Sequence, residues 1–98
     1  MPLQLRTYTL HPGNLNEFVQ LFHDQIAPLR QKVGFTIAAA WTAPETNQFI
    51  WLMAYEGSDD WETMNRKYFD SPERAAMSPN PSELIAKIEQ IFVEKLEM

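Results

Sequence analysis

Residues 35–55 constrain this chain more than any other segment, because they spell two strands that are apolar or small on both faces. Phe35, Ile37, Ala39 and Trp41 alternate with Thr36, Ala38, Ala40 and Thr42. Beyond Pro44-Glu45-Thr46-Asn47, the positions Phe49, Trp51, Met53 and Tyr55 alternate with Ile50, Leu52 and Ala54. A hairpin wetted on one side alternates apolar with charged residues, since successive side chains point to opposite faces. This pair needs cover on both. A chain of 98 residues builds one modest core and has helices for only one sheet face. The second face therefore meets something outside the chain. The row Phe49, Trp51, Met53 and Tyr55 is assigned to that outer contact, and Ile50 and Leu52 to the helices. Left bare, that row would exceed the roughly 300–600 Å² apolar patch a monomer exposes, so the expected assembly is a two-fold homodimer.

The remaining elements fall on either side of this pair. Leu3 to Leu10 reads as a first strand closed by His11-Pro12-Gly13. A helix follows, with Asn14 and Glu17 spaced as a capping box and Leu15, Phe18, Val19, Phe22, Ile26, Leu29 and Val33 at helical intervals. Arg30 and Lys32 are placed to complement the dipole of its last turn, Gly34 to end it, and Pro28 to kink it near Asp24. Ser58 is expected to cap a second helix carrying Trp61, Met64 and Tyr68, and Asp70-Ser71-Pro72-Glu73 to start a short third one running to about Met77. After Ser78-Pro79-Asn80-Pro81, Leu84, Ile85, Ile88, Ile91, Phe92 and Leu96 fit a helix by period and a strand by composition. The order β-α-β-β-α lacks only a last strand to complete an α+β, ferredoxin-like β-α-β-β-α-β sandwich with an antiparallel sheet, so a helical turn after Ser82 and a strand near Ile88 to Leu96 are predicted.

Composition excludes several function classes. Residues 1–98 make a single domain without an interior linker. No apolar run approaches the roughly 18 residues of a membrane span. The net charge of −5 and a sequence pI near 4.9 oppose nucleic-acid binding, which depends on Lys and Arg neutralising phosphates. The absence of cysteine removes disulfides, thiolate catalysis, Cys-ligated zinc and iron–sulfur clusters. The first residues lack a basic segment followed by an apolar one, so the cytoplasm is the expected compartment.

Leu5-Arg6-Thr7-Tyr8-Thr9-Leu10 followed by Pro12-Gly13, then Leu29, Gly34-Phe35, Trp41 and Ala54-Tyr55-Glu56, resemble the NIPSNAP family over nearly the whole chain. The resemblance implies a dimeric α/β barrel, in which two ferredoxin-like subunits pack their sheets face to face and leave a pocket in each half. It also implies departures. Trp51 stands where family members often carry His, Met53 where they carry Trp, and Arg74 where an aromatic is common. The loop around Glu45 is shorter.

Arg6 and Tyr8 share one face of the first strand by period two. If that face lines the barrel, Arg6 can orient an acidic or carbonyl group and Tyr8 can donate to it, within walls formed by Trp41, Trp51 and Tyr55. The same residues also suit ion pairing and core packing. His11 and His23, the only imidazoles, are read as solvated or structural. No His-Glu-x-x-His or equivalent donor set predicts a metal, and no glycine-rich loop a phosphate or nucleotide. No cofactor is expected. The first functional expectation is a homodimer that binds a small organic acid or carbonyl compound, with binding rather than turnover. The alternatives are a cofactor-independent oxygenase or isomerase of the dimeric α/β-barrel type, by fold-level analogy, and a protein-interaction scaffold.

Overall fold

The first strand, β1, occupies Leu3–Leu10 as its composition predicts. In the computed structural model, which describes residues 1–98, it is followed by α1 (Leu15–Leu21), a π turn (Phe22–Ile26) and α2 (Ala27–Val33). Strands β2 (Thr36–Ala43) and β3 (Gln48–Ala54) flank a 3₁₀ turn at Pro44–Thr46. Helices α3 (Trp61–Asp70), α4 (Pro72–Ala75) and α5 (Pro81–Leu84) lead into β4 (Ile85–Val93). The final strand is thus present, starting three residues earlier than predicted because α5 ends at Leu84. The four strands form one antiparallel sheet in the order β2-β3-β1-β4, the ferredoxin-like α+β arrangement. No helix is long and apolar enough to cross a membrane.

Register decides which residues share a face, and it reverses the sequence assignment. Arg6 pairs with Trp51 and Tyr8 with Phe49, while on the other side Arg6 pairs with Gln90 and Tyr8 with Ile88. The row Phe49, Trp51 and Met53 is fully buried, and it packs under the helices: ring centroids lie 4.6 Å apart for Phe22–Phe49 and 5.1 Å apart for Phe18–Phe49 and Phe22–Trp51. Ile50 and Leu52 lie on the open face instead, beside Leu3 and Leu5. Both rows are apolar, so alternation alone does not choose between them. Volume does. The space between a helix layer and a sheet must be filled to interior density, and the larger row fills it.

Strand β2 contributes a second correction. Its register shifts between Ile37 and Ala39, so that Ile37 meets Met53 on the helix face whereas Ala39 meets Leu52 and Trp41 meets Ile50 on the open face. A β-bulge of this kind inserts one residue and reverses the side chains beyond it. Phe35, Ile37, Ala39 and Trp41 therefore do not form one row, and Trp41 is 51% exposed.

The helix boundaries follow the sequence with local changes of partner. Pro28 lacks the N–H that would bond to Asp24, and the chain accommodates this in the π turn, where the Ala27 N–H reaches back to the Phe22 carbonyl. Asn14 does not cap α1 with its side chain; its Nδ2 donates to Glu17 Oε1 at 3.1 Å. Gly34, at φ 127°, closes α2, and the N–H groups of Gly34 and Phe35 both donate to the Arg30 carbonyl. Helix α3 starts after Asp60 rather than Ser58, with Asp60 Oδ1 accepting from the Thr63 N–H at 2.7 Å. Ser71 caps α4, which ends at Ala75 rather than near Met77. Arg30 lies in the core at 1% exposure instead of extending to the solvent beyond the helix end.

Phe18, Phe22, Ile26 and Leu29 form the buried side of the first helical segment. Phe22→Ala is expected to cost about 3–5 kcal/mol in denaturant titration, as deep aromatic truncations do. A loss below about 1 kcal/mol would show that the ring is not core.

Candidate functional site

Between the helix layer and the sheet, β1 supplies Arg6 and Tyr8, β3 supplies Trp51, α2 supplies Arg30, and α3 and α4 supply Tyr68 and Arg74 to a cavity of about 50 Å³. Phe18 and Ile26 close its apolar side, and Phe69, Pro81, Ser82, Ile85 and Ile88 complete the lining. Each residue arrives there for a local reason. Period two puts Arg6 and Tyr8 on the helix face of β1, register sets Trp51 opposite Arg6, and Arg30 lies four residues beyond Ile26 on the buried side of the helix.

The electrostatics are one-sided. Arg6 is 4% exposed and Arg30 1%, and neither meets a carboxylate. None of the chain's ion pairs involves an arginine. Arg6 donates from Nε to Gln4 Oε1 at 2.7 Å and from Nη1 to the Tyr8 hydroxyl at 3.2 Å. Arg30 Nη1 donates to Asn65 Oδ1 at 2.8 Å, and Arg6 Nη2 approaches the same oxygen at 3.5 Å. One neutral amide oxygen thus stands between two buried cations. The Arg30 guanidinium stacks on the Tyr68 ring with 3.7 Å from carbon to ring centroid, and both guanidiniums lie within 6 Å of the Trp51 ring, at 5.7 and 5.8 Å. Burial, and secondarily the charge of Arg6, pulls the Arg30 guanidinium down to about 10, still charged at neutral pH. Burial pushes the Tyr68 phenol up, so it remains protonated and able to donate.

Three buried side-chain polar atoms lack a hydrogen-bond partner: Arg30 Nε, Trp51 Nε1 and Arg74 Nε. All three are donors, and all three residues line this one cavity. Arg74 is fixed from the other side, donating to Asn80 Oδ1 and Ser82 Oγ at 3.3 Å each. The titratable side chains of the lining are three arginines and two tyrosines. Such an inventory offers hydrogen bonds and positive charge. It offers no carboxylate or imidazole to remove a proton.

The structure brings Arg6, Tyr8 and Trp51 together in this cavity, inside the subunit rather than between sheets. Tyr55 lies elsewhere, buried against Phe35 with ring centroids 5.5 Å apart, its hydroxyl in the space that a Cβ on Gly57 would need. Trp41 borders a separate groove between the first helical segment and the β2 edge. His11 and His23 are exposed, with His23 Nδ1 3.0 Å from Asp24 Oδ1. Sequence reasoning missed Arg30, Asn65, Tyr68 and Arg74 as site residues. Arg30 carried a signal, since it continues the spacing of Phe22 and Ile26. Tyr68 was read as core, and Asn65 and Arg74 carried none.

The comparisons with known proteins agree on the fold. An uncharacterised NIPSNAP domain protein from Burkholderia xenovorans superposes with a TM-score of 0.82 at 18% identity, covering 98% of this chain and 95% of that one. A NIPSNAP family protein from Agrobacterium tumefaciens gives 0.85 at 17% identity, with 98% and 93% covered. A putative antibiotic biosynthesis monooxygenase from Nitrosomonas europaea shares the fold more distantly, with a TM-score of 0.68 at 9% identity, covering 99% of this chain and all of that one. No curated protein matches the chain. The NIPSNAP family model matches residues 3–98, which carry every strand of the sheet and every residue of the cavity, and the chain therefore belongs to the NIPSNAP family.

Proposed function

We propose that this protein binds a small organic anion in the cavity between its helices and sheet, and does so as a homodimer. The observation that carries the reading is three unpaired buried donors on residues that line one cavity, two of them arginines, with no carboxylate on either buried arginine, Arg6 or Arg30. An unpaired buried donor costs about 1–3 kcal/mol, and an uncompensated buried charge more. A ligand rich in acceptors removes both penalties at once. With arginines and tyrosines as the titratable groups at hand, binding rather than turnover is the expected outcome.

Dimerisation is supported by the open sheet face. Leu3, Leu5, Ile50 and Leu52 line it next to Trp41 and Ile91, which are 51% and 61% exposed. A contiguous apolar face built from all four strands suits a second copy, because a two-fold pairing covers both faces with the same residues. Leu52→Glu is expected to give a folded monomer in light scattering at micromolar concentration. A monomeric wild type under the same conditions would refute the dimer.

The anion reading is tested by calorimetry with acetate and benzoate at fixed ionic strength. Arg30→Met is expected to abolish binding, because it removes the deepest cation while keeping an apolar stem. Asn65→Asp is expected to abolish it by a different route, placing an internal carboxylate between Arg6 and Arg30. The aspartate variant should also melt at higher temperature than the wild type, since it sets one carboxylate against two buried cations that otherwise have none. Affinity is expected to be flat from about pH 6 to pH 9, where the Arg30 guanidinium, held at about 10 by burial, stays largely protonated. Binding that survives in both variants would place the anion elsewhere.

A further inference from the structure

We propose that the ligand is an amphipathic carboxylic acid, with its carboxylate on Arg30 and Arg6 and an apolar body that leaves the cavity past Phe69, Ile85 and Ile88. This rests on the anion reading above and specifies the class of ligand. The enclosed space, about 50 Å³, holds roughly three or four water-sized groups. That accommodates a head group and not a whole organic molecule, so the remainder of the ligand occupies the mouth. The mouth is apolar. Phe69 and Ile88 line the cavity yet are 45% and 53% exposed, and Ile85 is half-buried beside them. Large apolar side chains at the rim of a cationic cavity form two environments in series, charge within and hydrocarbon outside.

The head group is planar because of how Arg30 is held. Its guanidinium lies against the face of Tyr68, which leaves its N–H groups to act in the guanidinium plane. Nη1 is engaged by Asn65 and Nε is free. In-plane pairing of a guanidinium edge with a carboxylate is the geometry in which arginine binds most selectively. A phosphate presents tetrahedral oxygens and a second charge, and needs open space on more than one side.

The experiment titrates the purified full chain with acetate, butanoate, hexanoate and octanoate, and with inorganic phosphate, at matched ionic strength, reading both calorimetry and thermal shift. Each added methylene up to about four is expected to tighten binding by about threefold to fourfold, which is the transfer gain of one buried CH₂. Phosphate is expected to bind more weakly than butanoate. Ile88→Ser, a change at an exposed position, is expected to flatten the chain-length gain, whereas Arg30→Met removes binding of the entire series. Affinity independent of chain length, or phosphate binding tighter than octanoate, would overturn the amphipathic ligand and leave the anion site standing. A full chain-length gain in Ile88→Ser would overturn the route past this residue. Absence of any anion binding in the wild type would overturn both readings together.

Discussion

Two guanidinium groups sharing one amide oxygen set the terms for the rest of this subunit. Arg6 comes from the sheet and Arg30 from the helix layer, and Asn65 Oδ1 is within reach of both. Burying two cations side by side is unfavourable unless something compensates. The compensation in the structure is diffuse: the faces of Tyr68 and Trp51, the Gln4 amide and the Tyr8 hydroxyl. Each contributes modestly, and none discharges a guanidinium. The surrounding aromatic core, with Phe18, Phe22, Phe49 and Trp51 packed edge to face, supplies the burial energy against which this cost is set.

On the proposed anion reading, the same arrangement separates stability from binding. Apolar packing between the helices and the sheet holds the fold, while the cationic cavity works against it. Natural chains tolerate such local destabilisation where a site requires it. A carboxylate built into the protein at Asn65 would relieve the strain and occupy the site permanently. Leaving that position neutral keeps the charge available.

Much of the architecture was legible in the sequence, and the failures have identifiable causes. Leu3–Leu10 announced a strand because Thr, Tyr and Leu run up to a Pro-Gly turn, and Gly34 announced a helix end that the left-handed geometry confirms. The last strand was recoverable because element order outweighed an ambiguous period at Ile85–Val93. The orientation of β3 was not, since Phe49-Trp51-Met53 and Ile50-Leu52 are both apolar and period two is silent on which row faces the helices. The bulge in β2 has no marker in Ile37-Ala38-Ala39, so the displacement of Trp41 from the row of Ile37 was invisible. Of the site, Arg6 and Tyr8 were visible as a pair on one face of the first strand by period two. Asn65 and Arg74 were not, because their roles depend on a third dimension that brings α3 and α4 over β1. Arg30 lay between these cases: its spacing from Ile26 put it at the border of the apolar stripe, and its charge argued for the solvent.

The π turn at Phe22–Ile26 bears on that last residue in a way that its accommodation of Pro28 does not convey. Along an uninterrupted α-helix each residue advances about 100° around the axis, so Arg30, twelve residues beyond Phe18, would stand about 120° from it, on the flank of the helix. One extra residue in the winding subtracts about 100°. Arg30 then falls within about 20° of the meridian of Phe18, which is where the cavity is. The insertion acts as a phase corrector, and the azimuth of the deepest cation is set by the pitch of a single turn one helical step before it.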